Sequence, residues 1–340
     1  MQTNNSIAHP HFKSVDLIRA LGAFLVVLAH VQYSGAGSSL IHISYYAFTR
    51  VAVPLFFMLS GFLLLSRSEP LWDFFRKRAF KVFIPFIIWS VIYLIWKGEA
   101  FDQPFADILK IYLVKILRGP RESHLWYFYE LIGLYLFTPI LRLYVEKASN
   151  KDLLYFCGIW FLLTPLLNLV QEFTPILFGF PFYYFKGYIG YFIFGYLTSR
   201  LQFHKNQRLI ALAVFVVSLI ATIAGMYIAG YYKMRTQYFE DYLSVNVVLM
   251  SFAFFVMLIH LNMPDYLYRA ILPFSRASFG IYLAHVIVMY QLLLIPPFSF
   301  LPFMGSALYV IPILGILGFG FSFLLVFAMQ KIPILRNIVP

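Results

Sequence analysis

Long apolar stretches are the feature that most constrains what this chain can fold into. About ten segments of roughly 20 residues consist mostly of apolar side chains. They lie at 14–34, 45–66, 79–98, 124–145, 152–171, 183–200, 208–229, 243–261, 278–296 and 308–330. A helix of this length crosses the hydrocarbon core of a bilayer and satisfies its own backbone hydrogen bonds. The sequence therefore predicts an all-α integral membrane protein with about ten transmembrane helices.

Composition and charge support this class. The 340 residues are 61% hydrophobic and only 12% charged, whereas soluble domains carry about a quarter charged residues. This excludes a soluble enzyme, a disordered chain and a nucleic-acid-binding module. The net charge of +12 fits the positive-inside rule, because the inner connections hold more than twice as many Lys and Arg as the outer ones. We therefore predict that both termini lie inside.

The ends and the cysteine content add further expectations. Residues 1–12 are polar and lack the features of a cleaved signal peptide. We expect residues 1–340 to form a single transmembrane domain with no appended soluble domain. Cys157 is the one cysteine, which excludes a disulfide framework and a cysteine metal site. The sequence predicts no metal site.

Several ionisable or aromatic residues fall at one predicted depth near the outer surface. The first helix runs outward from about Ser14, so at 1.5 Å per residue Arg19 lies near the cytoplasmic face and His30 about 24 Å above the start of the helix. Arg50, Glu130 and Lys186 reach the same outer level on other predicted helices, and His124 and Trp126 lie at the outer mouth of the fourth. Ionisable groups inside a membrane are costly and mark functional sites by default. Polar contacts between helices are the structural alternative.

These outer residues suggest acid–base chemistry. A neutral His30 could take a proton from a nucleophile, as a general base does. Arg50 could stabilise an oxyanion, and Glu130 is the nearest carboxylate by depth that could orient the imidazole. The pattern predicts a polar cavity that opens to the outside.

A second cluster lies on the inner side. Arg76, Lys77, Arg78 and Lys81 precede the third span, and Arg78 and Lys81 share a helical face at a spacing of three. Arg19 adds a cation from the first helix and has Asp16 as a local ion-pair partner. The cluster is either a positive-inside anchor on anionic lipid or a site for a phosphorylated donor, because Arg and Lys clamp phosphates.

Five blocks of sequence resemble one known family. They are 15–20 followed by His30, 50–62 (RVAVPLFFMLSGF), 76–85, 124–128 with 133–135, and 278–285 (SFGIYLAH). In this order they are similar to acyltransferase family 3. In that family an Arg or Lys and a His have the same spacing in the first helix as Arg19 and His30 have here. Size and layout are similar to the short branch that includes the O-acetyltransferase of enterobacterial common antigen and proteins for poly-N-acetylglucosamine succinylation or export.

The resemblance implies a membrane-bound O-acyltransferase of the bacterial plasma membrane. Such a protein moves an acyl group, most often acetyl, from cytoplasmic acyl-CoA to a hydroxyl of an extracytoplasmic glycan or lipid-linked sugar. Acyl-CoA would be a co-substrate, and no bound cofactor is expected. By analogy the inner cations hold the CoA phosphates, while His124, Trp126 and Tyr135 line the acceptor side. Both covalent acylation of His30 and direct transfer are compatible with the sequence.

Two other functions remain open from the sequence. A transporter or flippase for a glycan or lipid would also contain intramembrane charges, although no internal repeat of the transporter type is visible. A non-catalytic export subunit of the polysaccharide synthesis machinery would leave His30 and Arg50 dispensable. Membrane lipid is an expected partner in every case, and nucleic acid in none.

Overall fold

The computed structural model describes residues 13–33, 40–99, 103–177, 179, 187–303 and 305–340. Within these ranges the chain forms α-helices joined by short turns, and no strand occurs in this part of the chain. The helices are α1 Lys13–Ala29, α2 Leu40–Thr49, α3 Ala52–Leu64, α4 Leu71–Arg78, α5 Ile84–Trp96, α6 Phe105–Arg118, α7 Trp126–Lys147, α8 Asn150–Phe161, α9 Leu167–Phe173, α10 Ile189–Ser199, α11 Lys205–Tyr231, α12 Val245–Leu258, α13 Asp265–Leu292 and α14 Ala307–Lys331.

The prediction of an all-helical, multi-pass membrane protein is confirmed. Eight continuous helical stretches are long and apolar enough to cross a bilayer. They are Leu40–Leu64, Leu71–Trp96, Ser123–Lys147, Asn150–Phe173, Lys205–Tyr231, Tyr238–Leu258, Asp265–Leu292 and Ala307–Lys331. The other two predicted spans coincide with α1 and α10, which have 17 and 11 residues. The count of ten and the inside location of both termini stay predictions.

A π-helical turn over Ala79–Phe83 joins α4 to α5. The N–H of Ile84 bonds the carbonyl of Ala79, five residues back. Pro85 has no N–H to offer the carbonyl of Lys81, so the regular ladder cannot continue across this point. The turn therefore accommodates one residue more than an α-helix would, directly beside the basic cluster.

Two glycines bring α3 and α10 into backbone contact. A Cβ on Gly61 would lie 1.8 Å from the carbonyl oxygen of Phe192, and one on Gly195 would lie 1.8 Å from that of Met58. Small residues allow such close packing of membrane helices. Together with α1, α12, α13 and α14, this pair forms the buried centre of the bundle.

The connection between the third and fourth predicted spans contains the helix α6, Phe105–Arg118. Tyr112 and Ile116 on one face of α6 are buried, whereas Leu109, Leu113 and Leu117 on another are exposed. The spacing of four between these leucines is the helical period that the interspersed lysines obscured. α6 is therefore an amphipathic helix within a connection between two predicted spans.

Candidate active site

Basic residues from several helices line one cavity of about 360 Å³. Arg19 enters it from α1, Lys77 and Arg78 from α4, and Lys81 from the π turn. Arg67, which precedes α4, is a further lining cation. The other lining residues come from α3, the π turn, α7 and α13. They are Phe56, Leu59, Ser60, Leu63, Leu64, Val82, Tyr127, Phe128, Leu131, Tyr135, Ser278, Phe279 and Tyr282.

Glu69 organises the cations beside this cavity. Its Oε2 accepts a hydrogen bond from Lys77 Nζ at 2.8 Å, and its Oε1 lies 3.3 Å from Arg78 Nη1 and 3.2 Å from Arg142 Nη2. Burial raises the pKa of Glu69, but hydrogen bonds from Lys77 and Arg142 and the charge of Arg78 outweigh it. The net effect holds the pKa below its ordinary value. Glu69 is therefore ionised at neutral pH and neutralises part of the cluster.

The ring of Phe74 supports two of these arginines. The guanidinium carbon of Arg78 lies 4.5 Å from the ring centroid and that of Arg142 lies 4.7 Å from it. Phe74 is fully buried, so the ring is a fixed platform. Arg142 also donates two hydrogen bonds to the carbonyl of Leu64, at 3.0 and 2.8 Å. This network fixes the orientation of α4 and its basic end.

Two members of the cation set differ from the rest. Arg76 is exposed and does not line the cavity, because it lies on the opposite face of α4 from Phe74. Arg19 is 3.6 Å from the buried Asp16, which also accepts a hydrogen bond from Ser275 on α13. The local ion pair predicted from the sequence is therefore present, and it ties α1 to α13.

Aromatic side chains close the other end of the cavity. The rings of Phe56, Tyr127 and Tyr282 contact one another, with centroid separations of 5.4 to 6.2 Å. Tyr282 then donates a hydrogen bond of 2.7 Å to the carbonyl of His124. The wall of the cavity is thus in direct contact with a group of histidines.

Three histidines from distant parts of the chain form one cluster. The ring centroids of His30 and His285 are 4.7 Å apart, those of His124 and His285 4.9 Å, and those of His30 and His124 6.1 Å. His124 and His285 are buried, and His30 is half-buried. His30 is therefore the member that a substrate can reach.

Backbone carbonyls fix the tautomers of two rings. His30 Nδ1 lies 2.8 Å from the carbonyl of Val26, and His285 Nδ1 lies 2.7 Å from that of Tyr282. A carbonyl only accepts, so each Nδ1 carries the hydrogen and each neutral ring has an unprotonated Nε2. Among the described residues, His285 Nε2 and both nitrogens of His124 make no hydrogen bond of normal geometry.

Arg50 and Trp126 both contact the ring of Tyr242. The guanidinium carbon of Arg50 lies 3.9 Å from the ring centroid of Tyr242, and its Nε donates to the carbonyl of Glu240 at 2.7 Å. The ring of Trp126 packs on Tyr242 at 5.5 Å and on Tyr188 at 5.3 Å. Arg50, predicted to stabilise an oxyanion, and Trp126, predicted to line the acceptor side, therefore both contact Tyr242, a residue that the sequence did not single out.

The remaining predicted residues lie elsewhere. Glu130 is exposed, with Oε2 near Gly187, and the carbonyl of Val26 rather than a carboxylate orients His30. Tyr135, predicted for the acceptor side, lines the cation cavity. Lys186 lies outside the described residues.

The arrangement suits group transfer from a polyanionic donor. The cations offer several charge-assisted contacts to phosphates, and a neutral imidazole beyond the Tyr282 wall suits general-base catalysis. No group of three or more His, Cys, Asp or Glu within the part of the chain that the structure describes could hold a metal ion.

Comparison with known proteins identifies the class. A model of the acyltransferase domain matches residues 12–328, and the chain belongs to acyltransferase family 3. It is also similar to a serine/alanine racemase of Enterococcus gallinarum, with 30% identity over 191 residues. That match covers 50% of this chain and 25% of the racemase, so the chain spans about a quarter of that relative. No solved structure matches the chain.

Proposed function

We propose that this protein transfers an acyl group, with acetyl as the first candidate, from acyl-CoA to a hydroxyl of an extracytoplasmic glycan or lipid-linked sugar. The observation that carries the proposal is one cavity that has five cations at one end and Tyr282 at the other, in contact with His30's partners His124 and His285. The setting that fits this reaction is a bacterial plasma membrane.

In this proposal the two ends of the cavity have different roles. Arg19, Lys77, Arg78, Lys81 and Arg67 bind the phosphates of CoA, and the acyl thioester extends between Ser60 and Tyr127 toward Tyr282. The acceptor reaches the half-buried His30 from the other side. Such a layout is suited to transfer between a donor and an acceptor that never share one aqueous compartment.

The chemical step follows from the tautomer of His30. Its unprotonated Nε2 removes the proton of the acceptor hydroxyl as the oxygen attacks the thioester carbonyl carbon. The C–S bond breaks, the electron pair leaves on sulfur, and the proton passes to the thiolate. The products are an ester and the free thiol of CoA.

Acyl transfer in oriented vesicles tests the proposal. Inside-out membrane vesicles with the parent, His30→Gln or His204→Asn receive acetyl-CoA labelled in the acetyl group. His204 is exposed at the N-cap of α11 and is the matched control, because Asn also caps helices. We expect label in extracted glycans or lipids with the parent and the control, and a loss of about 100-fold with His30→Gln.

Other results would argue against the proposal. Equal labelling by the parent and His30→Gln would remove His30 from the reaction. A transporter would be favoured if the parent labels nothing in membranes that contain the glycans but moves glycan across the vesicle membrane. Succinyl-CoA in a parallel series identifies the preferred acyl group.

A further inference from the structure

His285 has an environment that the transfer step described above does not explain. It is fully buried, its Nδ1 donates to its own helix, and its Nε2 lacks a hydrogen-bond partner among the described residues. Leaving a buried acceptor unpaired costs free energy. The ring nevertheless lies 4.7 Å from that of His30, which comes from the end of α1.

The tautomers explain why the two rings are close but not bonded. Both Nδ1 atoms are committed to carbonyls, so in the neutral state both Nε2 atoms are acceptors. Two acceptors cannot form a hydrogen bond with each other. A proton placed on either Nε2 turns that atom into a donor, and the other ring then supplies the acceptor.

We propose that His285 is a positioning residue for the transfer reaction. Its Nε2 accepts a hydrogen bond from His30 once His30 holds the proton of the acceptor hydroxyl. The two rings thus hold one proton between them until sulfur takes it. The O–H bond of the acceptor and the C–S bond of the donor break, an ester C–O bond and an S–H bond form, and the histidines end unchanged. This inference rests on the proposed function.

The titratable groups near His285 belong to the helices that pack around the histidine cluster. His30, which follows α1, His124, which precedes α7, and Tyr282 on α13 itself contact His285. Tyr93 on α5 contacts His124. The hydroxyls of Tyr93 and Tyr282 donate to the carbonyls of Leu283 and His124, so they do not offer a proton to His285.

Charged groups act on the cluster from farther away. They are Arg50, Glu122 and Lys97, of which the last two pair with each other. A second proton on His124 would place two cations within about 5 Å, which repulsion opposes. The cluster therefore takes up no more than one additional proton at a time.

Kinetics with two substitutions at one position test the proposal. His285→Phe keeps an aromatic ring and removes the acceptor, whereas His285→Gln keeps an acceptor oxygen. We expect kcat to fall about tenfold with His285→Phe while KM for acetyl-CoA changes less than about twofold, since His30 keeps the rest of its general-base contribution. The acidic limb of the pH–rate profile should move to lower pH, and His285→Gln should restore part of kcat.

A readout that needs no activity separates this inference from the proposed function. In protein labelled with ¹⁵N-histidine in nanodiscs, the His30 signals are assigned by their loss in His30→Gln. We expect His30 to take up a proton at higher pH in the parent than in His285→Phe, with His204→Asn unchanged from the parent.

The outcomes are distinct. Coincident protonation midpoints for His30 in the parent and His285→Phe would overturn the inference, and so would parent-like kcat and pH profile in His285→Phe. Equal loss of kcat with His285→Gln and His285→Phe would assign His285 a packing role. If the parent transfers no acyl group to any acceptor, the proposed function fails, and the NMR midpoints still decide whether the two histidines are coupled.

Discussion

Arg78 and Glu69 form an ion pair at 3.3 Å in which the arginine belongs to the cavity and the carboxylate does not. The same carboxylate contacts Lys77 and Arg142. A single acidic residue in the loop between α3 and α4 therefore holds the basic end of α4 in the orientation that faces the cavity.

The contribution of Glu69 to stability should depend on pH in a defined direction. The folded-state pKa of Glu69 lies below its ordinary value, so the stabilisation is present above an unfolded pKa of about 4.3 and is lost as pH falls through the folded value. We expect Glu69→Gln to unfold at a lower temperature than the parent at pH 7. The difference should shrink below about pH 4, as measured by thermal unfolding in detergent. A constant difference at all pH values would assign the effect to packing.

Neighbouring arginines on α4 should differ in their effect on donor binding. Arg78 lines the cavity and Arg76, two residues earlier, is exposed outside it. We expect Arg78→Gln to raise KM for acetyl-CoA about tenfold, the cost of a lost charge-assisted contact. Arg76→Gln is the matched control, with KM within about twofold of the parent. Equal effects from the two variants would indicate a diffuse electrostatic attraction instead of a built phosphate site.

Arg50→Lys should reduce transfer without weakening donor binding. Lysine has no planar guanidinium that can both lie on Tyr242 and donate to the carbonyl of Glu240. We expect kcat to fall about tenfold at an unchanged KM for acetyl-CoA, because such a contact contributes about 1.5–3 kcal/mol. Arg235→Lys in the exposed loop after α11 is the control. A rise in the KM for the donor would contradict a location on the acceptor side.

Gly61→Ala should disrupt the bundle far more than the same change elsewhere. Its methyl group would meet the carbonyl oxygen of Phe192 at 1.8 Å, and only a shift of α3 from α10 relieves this overlap. We expect a large loss of folded protein on size-exclusion chromatography. Gly158→Ala has open space around its Cβ and should be neutral or stabilising, as Ala favours helix over Gly by about 1 kcal/mol. Similar behaviour of the two variants would contradict the close helix contact.

The sequence predicted the helices better than it predicted which residues pack together. Apolar runs identify the spans because each helix must satisfy its backbone in lipid, and a rise of 1.5 Å per residue separates His30 from Arg19 by about 16 Å. Rotation about each helix axis and the choice of neighbouring helix are set by packing across the whole bundle. For this reason His30 and His285, which are far apart in sequence, could not be paired in advance.

Individual residues show the same limit. Arg78 and Lys81 were placed on one face by their spacing, and both line the cavity. Glu69 was missed because a lone carboxylate in a loop has no pattern. Glu130 was selected by depth alone, and its side chain points to the exposed surface.

The π turn at Ala79–Phe83 amounts to one extra residue within a continuous helix. Each residue turns a helix by about 100°, so this residue sets the angle between the basic face of α4 and the apolar face of α5. Deletion of the exposed Phe80 would close the turn and swing Lys77 and Arg78 away from the cavity while every charge is kept. A one-residue gap at this point in an alignment of relatives therefore indicates a basic cavity of different geometry, even where all its arginines and lysines are present.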